Sequence, residues 1–532
     1  MSKHASASAT ATSGDRDAHR PPVRDQAEPS LPNAADRVNS GEAATDLREY
    51  LAELAELGDL MVIDREVDAD LEAASITRRC YEITAPAPYF TRIAGDTIGT
   101  RMVGAPAGLS SVPGKPLARL ARSVGLPADV TSAELVEHLV AARHAEPVPP
   151  REVPRDFAPC KENVLLGADA RLDRFPLPRI HADDGGRYLN TWGIVVAALP
   201  DGSWVNWSIT RLMALDEHRM TGLVVPPQHL GLLWQAWGER GEPMPYALVQ
   251  GGDPAIPFVG GIPLPEGVDE AGYIGALTGR PVDVVRCETS DLMVPATAEV
   301  VIEGFVSPGR DSPEGPFGEY AGYASTHVSD QPVFTVEAIT HRNEPVWPIV
   351  AEGRPVDEYH TVTGTGRAAK LLDALRTAGL PITTVWLPMR AAMHWSVITV
   401  PADWRERMPG MDADAFVHRV GEVMHASGGP SWMMPVTYVL DDDIDPASDA
   451  DLLWALSTRV HPVDGRSAWD TRVLPFMACY GPKEREKGRG PSVLVNGLQP
   501  AWGQGRLRHA SFAQSYPDEL RRRVLAHWPD RT

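Results

Sequence analysis

Two glutamates in a glycine- and proline-rich string could carry acid–base chemistry. The string "SPEGPFGEYAGY" places Glu314 and Glu319 five residues apart, with two glycines and a proline between them. A turn of this composition can bring both carboxyl groups into one pocket, where they push each other's proton affinities apart. One carboxyl group could then serve as an acid. An exposed acidic turn is the alternative interpretation.

A second string, "WVNWSITRLMALDEHRMTGLVVPPQH", combines amide, guanidinium and imidazole groups. Polar and apolar residues alternate along a predicted strand, so Asn206 and Ser208 could face a cavity, and Arg211 is a further candidate. Two prolines precede His229 and predict a helix start, and Glu270 also falls in the first turn of a predicted helix. An Asn, a His and a carboxylate suit Mn²⁺ or Mg²⁺, which could bridge the protein to a phosphate. Helix capping or surface exposure is the alternative for His229.

Two further strings allow a binding site but predict one less strongly. Gly364, Gly366 and Ala369 in "TGTGRAAK" match the dinucleotide fingerprint G-x-G-x-x-A. The preceding "EYHTV" is too polar for a buried parallel strand, and no acidic strand end follows about 20 residues on, so a glycine-rich helix start fits better. The run "LDDDIDP" could bind a cation or form a turn before a capped helix.

Composition excludes several classes of protein. The 532 residues carry 71 acidic and 50 basic side chains, a net charge of -21, which argues against binding nucleic acid or an anionic membrane. No apolar stretch is long enough to span a bilayer, and no signal-peptide pattern precedes the first predicted helix. The four scattered cysteines fit a reducing cytoplasm better than a disulfide framework or a zinc site. We therefore expect a cytoplasmic protein.

The sequence pattern divides the chain into an N-terminal tail and three further segments. Residues 1–44 are rich in Ala, Ser, Thr, Asp and Pro and are predicted to be a disordered tail. Residues 45–159 alternate helical and strand patterns, residues 160–345 contain short β-rich runs typical of a barrel or sandwich, and residues 346–532 return to an α/β rhythm. The predicted fold class is a multidomain α+β and α/β protein.

Several long strings together resemble the UbiD decarboxylase family, particularly its ferulic/cinnamic acid decarboxylase branch. They run in family order from about residue 45 to 480: "GGRYLNTWGI", "WVNWSITR", "TGLVVPPQH", "IPLPEGVDE", "CETSDLMVPATAEVVIEG", "EGPFGEYAGY" and "DDDIDP" followed by "WALSTR". The resemblance implies a central split β-barrel that binds prenylated FMN, flanked by N-terminal and C-terminal α/β domains. It also implies Mn²⁺ (or Mg²⁺) and K⁺ at the phosphate of the flavin.

The resemblance assigns residues to each of these groups. The divalent metal falls on Asn206, His229 and Glu270. Potassium falls near Trp207, Val259, Gly260 and Glu270, with Arg459 close by. The flavin contacts fall on Thr191, Asn206, Trp207, Ser208, Ile209, Thr210, Arg211, Gln228, Gly260, Gly261, Ile262 and Glu270.

The same resemblance implies a catalytic network of Glu314, Arg211 and Glu319. Arg211 would bind the substrate carboxylate or the flavin edge, Glu314 would hold Arg211, and Glu319 would protonate the carbon that loses CO₂. The family's lysine near the flavin phosphate has no counterpart in "ASGGPSWMMPVTYVL". Val225, Thr363 and Phe476 are candidate substrate-lining residues.

The predicted activity is a reversible, non-oxidative decarboxylation of an α,β-unsaturated or (hetero)aromatic carboxylic acid. The alternatives are an oxidoreductase that uses NAD or unmodified FMN, and an inactive scaffold subunit. The resemblance further implies dependence on a separate flavin prenyltransferase and a homodimer or higher homo-oligomer, assembled through the C-terminal domain.

Overall fold

The computed structural model describes residues 43–226, 228–426, 429–474, 477–499 and 507–528. The helices, in chain order, are α1 Leu47–Glu56, α2 Glu72–Ile83, α3 Ala118–Ser123, α4 Ser132–His144, α5 His229–Gly238, α6 Ala255–Gly260, α7 Glu270–Thr278, α8 Gly364–Thr377, α9 Trp404–Arg407, α10 Ala413–His425, α11 Asp449–Arg459, α12 Pro482–Lys487, α13 Phe512–Ser515 and α14 Asp518–Ala526.

The strands, in chain order, are β1 Leu60–Val67, β2 Ala87–Ile93, β3 Arg101–Gly104, β4 Arg151–Glu152, β5 Asn163–Leu166, β6 Tyr188–Asn190, β7 Ile194–Ala198, β8 Val205–Ile209, β9 Leu212–Ala214, β10 Arg219–Gly222, β11 Met244–Gln250, β12 Asp283–Arg286, β13 Met293–Pro295, β14 Val300–Val306, β15 Ser312–Glu314, β16 Ser329–Gln331, β17 Val333–His341, β18 Val346–Ile349, β19 Thr384–Trp386, β20 Trp395–Val400, β21 Val436–Asp441, β22 Arg466–Arg472 and β23 Arg489–Asn496. Within the described residues, no helix is both long and apolar enough to cross a bilayer.

The N-terminal unit is a four-stranded sheet in the order β1-β2-β3-β18, flanked by helices. Its helix starts follow the sequence signals. In α4 the hydroxyl of Thr131 accepts the backbone N–H of Glu134, and the carboxylate of Glu134 accepts the N–H of Thr131, a complete capping box. In α1, the Asp46 carboxylate accepts the N–H of Glu49, but the Glu49 carboxylate accepts the N–H of Thr45, so only half of a capping box forms there.

A curled nine-stranded sheet forms the central unit, in the order β6-β9-β10-β17-β14-β11-β7-β8, with β5 added beside β17. Strands β7, β11 and β14 are buried on both faces, which explains their nearly continuous apolar sequences. Alternate residues of β7 enter different cores: Ile194 and Val196 pack on one side of the sheet, and Val195 and Ala197 on the other. This curled half-barrel confirms the predicted central fold.

The C-terminal unit is a five-stranded sheet in the order β19-β20-β21-β23-β22, with β20, β21 and β23 parallel. Its helices α8 and α10 share one hydrophobic core with β7 and β11 of the central sheet, so the two units pack directly together. The proline-rich segment 146–157 is also packed against this structure, because Arg151 and Glu152 pair with β12 in parallel.

Helix α8 continues a π-helical turn formed by Tyr359–Thr363. The string "EYHTV" is therefore helical, and the strand-turn-helix geometry of a dinucleotide-binding fingerprint is absent there. The glycine-rich helix start is the interpretation that the structure supports. Gly366 is needed for close packing, because a Cβ at this position would lie 2.5 Å from the Cβ of Ile262.

A buried acid joins the N-terminal unit to the segment before α8. Glu358 is 1% exposed, and its carboxyl group accepts the Tyr81 hydroxyl and the backbone N–H of Ala107. Burial raises the pKa of Glu358 to about 7, the hydrogen bond from Tyr81 opposes this rise, and the charge of Asp357 adds to it. The folded protein therefore retains a proton here that an unfolded chain loses near pH 4.5.

This proton predicts that stability falls as the pH rises. Between about pH 5 and 8 the folded state binds more protons than the unfolded state, so the free energy of unfolding decreases by up to about 3 kcal/mol. We expect Glu358→Gln to remove the contribution of Glu358 to the pH dependence of the free energy of unfolding, measured with urea. The contributions of other buried acids, such as Glu352, should remain. The exposed Glu337→Gln is the matched control. An unchanged pH slope in Glu358→Gln would contradict the assignment.

Candidate active site

Two glutamates share one arginine at the end of β8. The Nε and Nη2 atoms of Arg211 donate to the two carboxylate oxygens of Glu314, at 2.9 and 3.1 Å. Its Nη1 donates to Oε1 of Glu319 at 3.2 Å. Glu314 is 1% exposed and Glu319 is 8% exposed. The structure therefore brings together the three residues that the sequence predicted as the catalytic network.

The two glutamates are positioned by a short hairpin. Strand β15 ends at Glu314 and pairs with β16, and Glu319 lies in the loop between the two strands. Gly315 has a positive φ of 98°, and a Cβ there would lie 2.5 Å from the carbonyl oxygen of His327. Because only glycine tolerates both this φ angle and this close approach, Gly315 determines the direction in which the loop leaves β15.

Aromatic side chains from other elements complete this network. Tyr188 of β6 donates its hydroxyl to Oε1 of Glu314 at 2.8 Å. The guanidinium carbon of Arg211 lies 5.1 Å from the ring centroid of Phe317, which in turn packs against Tyr188 at 4.4 Å. The ring thus supports the face of the arginine while Glu314 binds its edge.

Burial within the network favours a protonated Glu319. Burial raises the pKa of Glu319 above its ordinary value, although the charge and hydrogen bond of Arg211 oppose this, and the charge of Glu314 raises it further. Burial alone would lower the pKa of Arg211, but the hydrogen bonds and charge of Glu314 raise it. Arg211 therefore stays a cation while Glu319 can retain a proton, which is what a general acid requires.

A second polar cluster lies at the start of the same strand. Asn206 is fully buried, and its Nδ2 lies 2.6 Å from Oε1 of Glu270 and 3.2 Å from Nδ1 of His229. The same Glu270 oxygen lies 3.7 Å from that His229 nitrogen. The other oxygen of Glu270 accepts the backbone N–H of Trp207 at 2.9 Å. Three residues spread over 64 positions of sequence thus converge on one point.

Two helix starts and one strand create this convergence. His229 is the first residue of α5, as predicted, although Pro227 lies outside the described residues. Glu270 is the first residue of α7, whose N-terminus is capped by the carboxylate of Asp269. The indole of Trp204 donates to the carbonyl of Val268 at 3.0 Å, which ties β8 to the loop before α7.

The cluster fits a hard divalent cation. The Oδ1 atom of Asn206 is buried and has no hydrogen-bond partner, and the Oγ atom of Ser208, on the same face of β8, is in the same state. Turning the Asn206 amide by 180° would place Oδ1 where Nδ2 now meets His229 and Glu270, and the two orientations are hard to distinguish by shape. An amide oxygen, an imidazole nitrogen and a carboxylate would then face one point. Within the described residues, no three His, Cys, Asp or Glu side chains form a metal-binding group, so such an ion would need Asn206.

The other predicted cofactor contacts lie along the same strand and the end of α6. A Cβ on Gly260 would lie 2.7 Å from Ile194 and 3.3 Å from the carbonyl of Trp207, and one on Gly261 would lie 3.5 Å from Ile209. The hydroxyl of Thr363 donates to the carbonyl of Gly261 at 2.8 Å. Ile262, directly after Gly261, packs against Gly366 as described above. Val259 directly precedes Gly260 in α6. These residues surround the middle of β8.

The remaining predicted residues lie around this centre. Thr191 follows β6 and its hydroxyl accepts the N–H of Val350, while the carbonyl of Thr210 accepts Nδ2 of Asn190. Gln228 caps α5, and its N–H donates to the carbonyl of Val225. Phe476 lies outside the described residues.

One expectation about local placement needs correction. The predicted strand through Arg211 ends at Ile209, so Asn206 and Ser208 share a strand face but Arg211 lies in the connection to β9. Arg459 binds Asp443 through both Nη atoms, at 2.8 and 2.6 Å, and Asp443 also accepts Nε2 of His509. Its described hydrogen bonds and ion pairs stay within the C-terminal unit, so a potassium contact from Arg459 remains a prediction from the resemblance alone. With Asp443 paired in this way, "LDDDIDP" forms a turn before α11, which is capped by Ser448.

Sequence reasoning did not identify several residues that shape this site. The backbone N–H groups of His181 and Gly318 both donate to the Asp184 carboxylate, and Nε2 of His181 lies 2.7 Å from the carbonyl of Glu352. Burial, then the charges of Asp357 and Glu319, raise the pKa of Glu352 well above its ordinary value. None of these residues lies in a string with a recognisable spacing, and their proximity depends on tertiary structure.

Comparison with known proteins agrees with this geometry. Three domains of 3-octaprenyl-4-hydroxybenzoate carboxy-lyase match the chain: the N-terminal domain at residues 51–142, the Rift-related domain at 151–355 and the C-terminal domain at 360–466. The chain belongs to the UbiD family of carboxy-lyases, which confirms the resemblance, the fold class and the enzyme class predicted from the sequence.

Two characterised relatives match nearly the whole chain. The pyrrole-2-carboxylic acid decarboxylase of Pseudomonas aeruginosa is 42% identical over 92% of this chain and 98% of its own. Ferulic acid decarboxylase 1 of Saccharomyces cerevisiae is 35% identical over 91% and 98%. Among solved structures, the UbiD-class enzyme HmfF of Pelotomaculum thermopropionicum in complex with prFMN has 27% identity and a TM-score of 0.73, and covers 88% of this chain and 97% of its own.

The two hydrogen bonds between Arg211 and Glu314 predict a large loss of stability when Arg211 is replaced. Arg211→Met would leave the Glu314 carboxylate buried without its counter-ion, which costs about 3–5 kcal/mol. We expect a lower thermal unfolding midpoint for this variant, and partial recovery in the double variant Arg211→Met/Glu314→Gln, because the uncompensated charge is then removed. A stable single variant, or a double variant no better than the single one, would contradict this interpretation.

Proposed function

We propose that the protein removes CO₂ from an α,β-unsaturated or heteroaromatic carboxylic acid without oxidation, on a prenylated FMN, with Glu319 as the proton donor. The observation that carries this proposal is the buried network of Arg211, Glu314 and Glu319. Its arginine follows Asn206 of the second polar cluster by five residues in the chain. The relatives named above support the reaction class. The same chemistry can run in reverse when CO₂ is abundant.

The network divides the chemical work among three side chains. Arg211 offers a fixed cation that orients the carboxylate of the substrate or the edge of the flavin. Glu314 holds two N–H groups of Arg211 and so fixes the direction in which the guanidinium points. Glu319, with a single longer bond to Arg211 and a raised pKa, can deliver a proton to the carbon that has lost CO₂.

The residues of β8 and its neighbours suit the phosphate end of a flavin. Asn206, His229 and Glu270 would hold Mn²⁺ or Mg²⁺, and Trp207, Val259 and Gly260 would hold K⁺ together with Glu270. Ser208, Ile209, Thr210, Gly261, Ile262, Thr191 and Gln228 would contact the flavin itself. When bound, prenylated FMN supplies the electron sink for the departing carboxylate. The complex of HmfF with prFMN supports this cofactor.

Substrate and partners follow from the same comparison. The names of the two relatives point to a heteroaromatic or cinnamic-type acid, and Val225, Thr363 and Phe476 are the proposed lining residues. We also propose dependence on a flavin prenyltransferase and a homodimer or higher homo-oligomer. Exposed Leu525 and Trp528, at 61% and 65%, support a C-terminal interface. The helical conformation of "EYHTV" weighs against an NAD oxidoreductase, and the complete catalytic network weighs against a scaffold.

The proposed cofactor leads to one prediction about how the protein must be produced. We expect CO₂ release only from protein that was produced together with a flavin prenyltransferase and supplied with Mn²⁺ and K⁺. The assay would use cinnamic, hydroxybenzoic, pyrrole-2-carboxylic and furan-carboxylic acids and would measure CO₂ and product. Equal activity from protein produced without the prenyltransferase, or a purified protein that binds no flavin, would contradict the proposal.

The second prediction concerns the proton donor. Glu319→Gln keeps the size of the side chain but cannot deliver a proton, so kcat should fall by about 10²- to 10⁴-fold. Flavin content, measured by absorbance and mass spectrometry, should stay that of the wild type. Glu337→Gln, on the exposed face of β17, is the matched control. Undiminished turnover in Glu319→Gln would assign the proton to another group.

A further inference from the structure

Arg367 and Lys370 are two cations of α8 without an acidic partner. Arg367 is 6% exposed and Lys370 is partly buried, and neither forms an ion pair with a carboxylate of the described residues. Arg143, which faces the same helix, is matched by Asp373 at 3.0 Å. Because an uncompensated buried charge is strongly unfavourable, two such charges one helical turn apart indicate an anion from outside the chain.

The guanidinium of Arg367 has donors to spare. Its Nη1 donates to the carbonyl of Trp432 at 2.7 Å, and its Nη2 contacts the sulfur of Met433, a weak acceptor, at 3.1 Å. Its buried Nε–H has no hydrogen-bond partner, nor does the Nε1–H of Trp432, on whose ring the guanidinium stacks at 4.9 Å. Tyr359, whose hydroxyl lies 3.9 Å from the same sulfur, supplies no negative charge, because burial raises its pKa. Two unpaired donors beside two unmatched cations indicate that this place binds an acceptor with more than one oxygen.

The stretch that Arg367 contacts has no cation of its own. Residues 426–440, which include Trp432 and Met433, contain no lysine, arginine or histidine. Met433 has a φ of 64°, in the left-handed region that a methionine rarely adopts. This conformation accompanies the contact between its sulfur and the guanidinium. Helix α8 therefore brings the positive charge to a stretch that otherwise offers only neutral groups.

The connection between α6 and α7 joins this cationic place to the Asn206 cluster. The connection, residues 261–269, begins against the first turn of α8, where a Cβ on Gly366 would lie 2.5 Å from the Cβ of Ile262. It ends at Glu270, whose Oε1 lies 2.6 Å from Nδ2 of Asn206. The cations of α8 and the proposed ligands of the divalent metal therefore belong to the two ends of one short connection.

We propose that Arg367 and Lys370 bind the phosphate monoester of the flavin, in addition to the proposed divalent metal. A phosphate monoester has three terminal oxygens and close to two negative charges at neutral pH, so it can bind a metal on one side and N–H donors on the other. The guanidinium edge, the Lys370 ammonium and the indole N–H of Trp432 are the donors that this chain offers. The inference rests on the proposed function, because the phosphate belongs to the proposed cofactor.

The charges around Lys370 agree with this assignment. Burial lowers the pKa of Lys370, and the positive charges of Arg143 and Arg367 lower it further. An anion bound beside both side chains would oppose all three effects, since it stabilises the charged form of the ammonium group. The ammonium group is therefore expected to contribute less than the guanidinium, which stays charged without such help.

Paired titrations with FMN and riboflavin test the proposal, because the two ligands differ only in the phosphate. Full-length protein freed of flavin would be titrated with each in the presence of Mn²⁺ and K⁺, and binding would be followed by flavin fluorescence. We expect Arg367→Met to weaken FMN binding by about 30-fold or more and riboflavin binding by less than about 2-fold. Lys370→Met should give a smaller loss for FMN alone. Arg367→Lys keeps the charge without the planar donors and should give an intermediate loss.

Thermal unfolding supplies a second readout. Arg367→Met removes an unpaired buried charge, so the flavin-free variant should unfold at a temperature no lower than the wild type, while FMN should raise its midpoint by less. A purely structural arginine would instead lower the midpoint of the flavin-free protein. Arg472→Met is the matched control: Arg472 is exposed and stacks on the same Trp432 ring at 5.6 Å, and its loss should change neither flavin affinity.

Equal losses for FMN and riboflavin in Arg367→Met, or an unchanged affinity for FMN, would overturn the proposal. An unchanged FMN affinity with a raised KM for the acid substrate would assign Arg367 to the substrate instead. If the wild type binds neither flavin, the proposed cofactor is wrong, and calorimetry with inorganic phosphate then tests the anion site alone. Phosphate binding that is lost in Arg367→Met but kept in Arg472→Met would support the site, and no binding in the wild type would overturn it. The same calorimetry decides the case if riboflavin binds too weakly to measure.

Discussion

The paired hydrogen bonds between Arg211 and Glu314 are the interaction on which the rest of the site depends. A guanidinium that is largely removed from water needs a buried anion with matching geometry, and Glu314 supplies both oxygens. To form this pair, the end of β8 and the hairpin β15–β16 must meet, and Tyr188 of β6 must reach the same carboxylate. One ion pair therefore fixes two strands of the central sheet and the separate β15–β16 hairpin relative to one another, and the loop that carries Glu319 is anchored as a consequence.

The segment between β18 and α8 connects this centre to the other two units. Arg78 of α2 donates to the carbonyls of Ala351 and Arg354, and Tyr81 of the same helix binds Glu358. On the other side, the Nε2 atom of His360 lies 2.8 Å from the carbonyl of Tyr320, in the loop that carries Glu319. The N-terminal unit thus contributes no proposed catalytic residue, but it holds the segment against which the Glu319 loop rests.

Sequence patterns predicted individual helices and strands well, but they predicted the tertiary contacts between these elements poorly. The helix starts at His229 and Glu270 depend on local chemistry, which is readable over a few residues. The convergence of Asn206, His229 and Glu270 was assigned through family resemblance, since 64 intervening positions contain no spacing rule. The contacts of Tyr188 and Phe317 with the network were missed, because an aromatic residue on a strand or loop has the same pattern whether it packs in a core or supports a guanidinium.

The division of labour between the two glutamates follows from competition for a single cation. Arg211 can satisfy one carboxylate with two parallel N–H groups, and it gives that geometry to Glu314 on the rigid end of β15. Glu319, on the connecting loop, receives a single bond of 3.2 Å. The stabilisation of its charged form by Arg211 is therefore incomplete, and burial raises its pKa. The same asymmetry that holds Arg211 in place thus leaves Glu319 as the carboxyl group able to retain a proton, so that the positioning of Arg211 and the proposed acid role of Glu319 arise from one arrangement of charges.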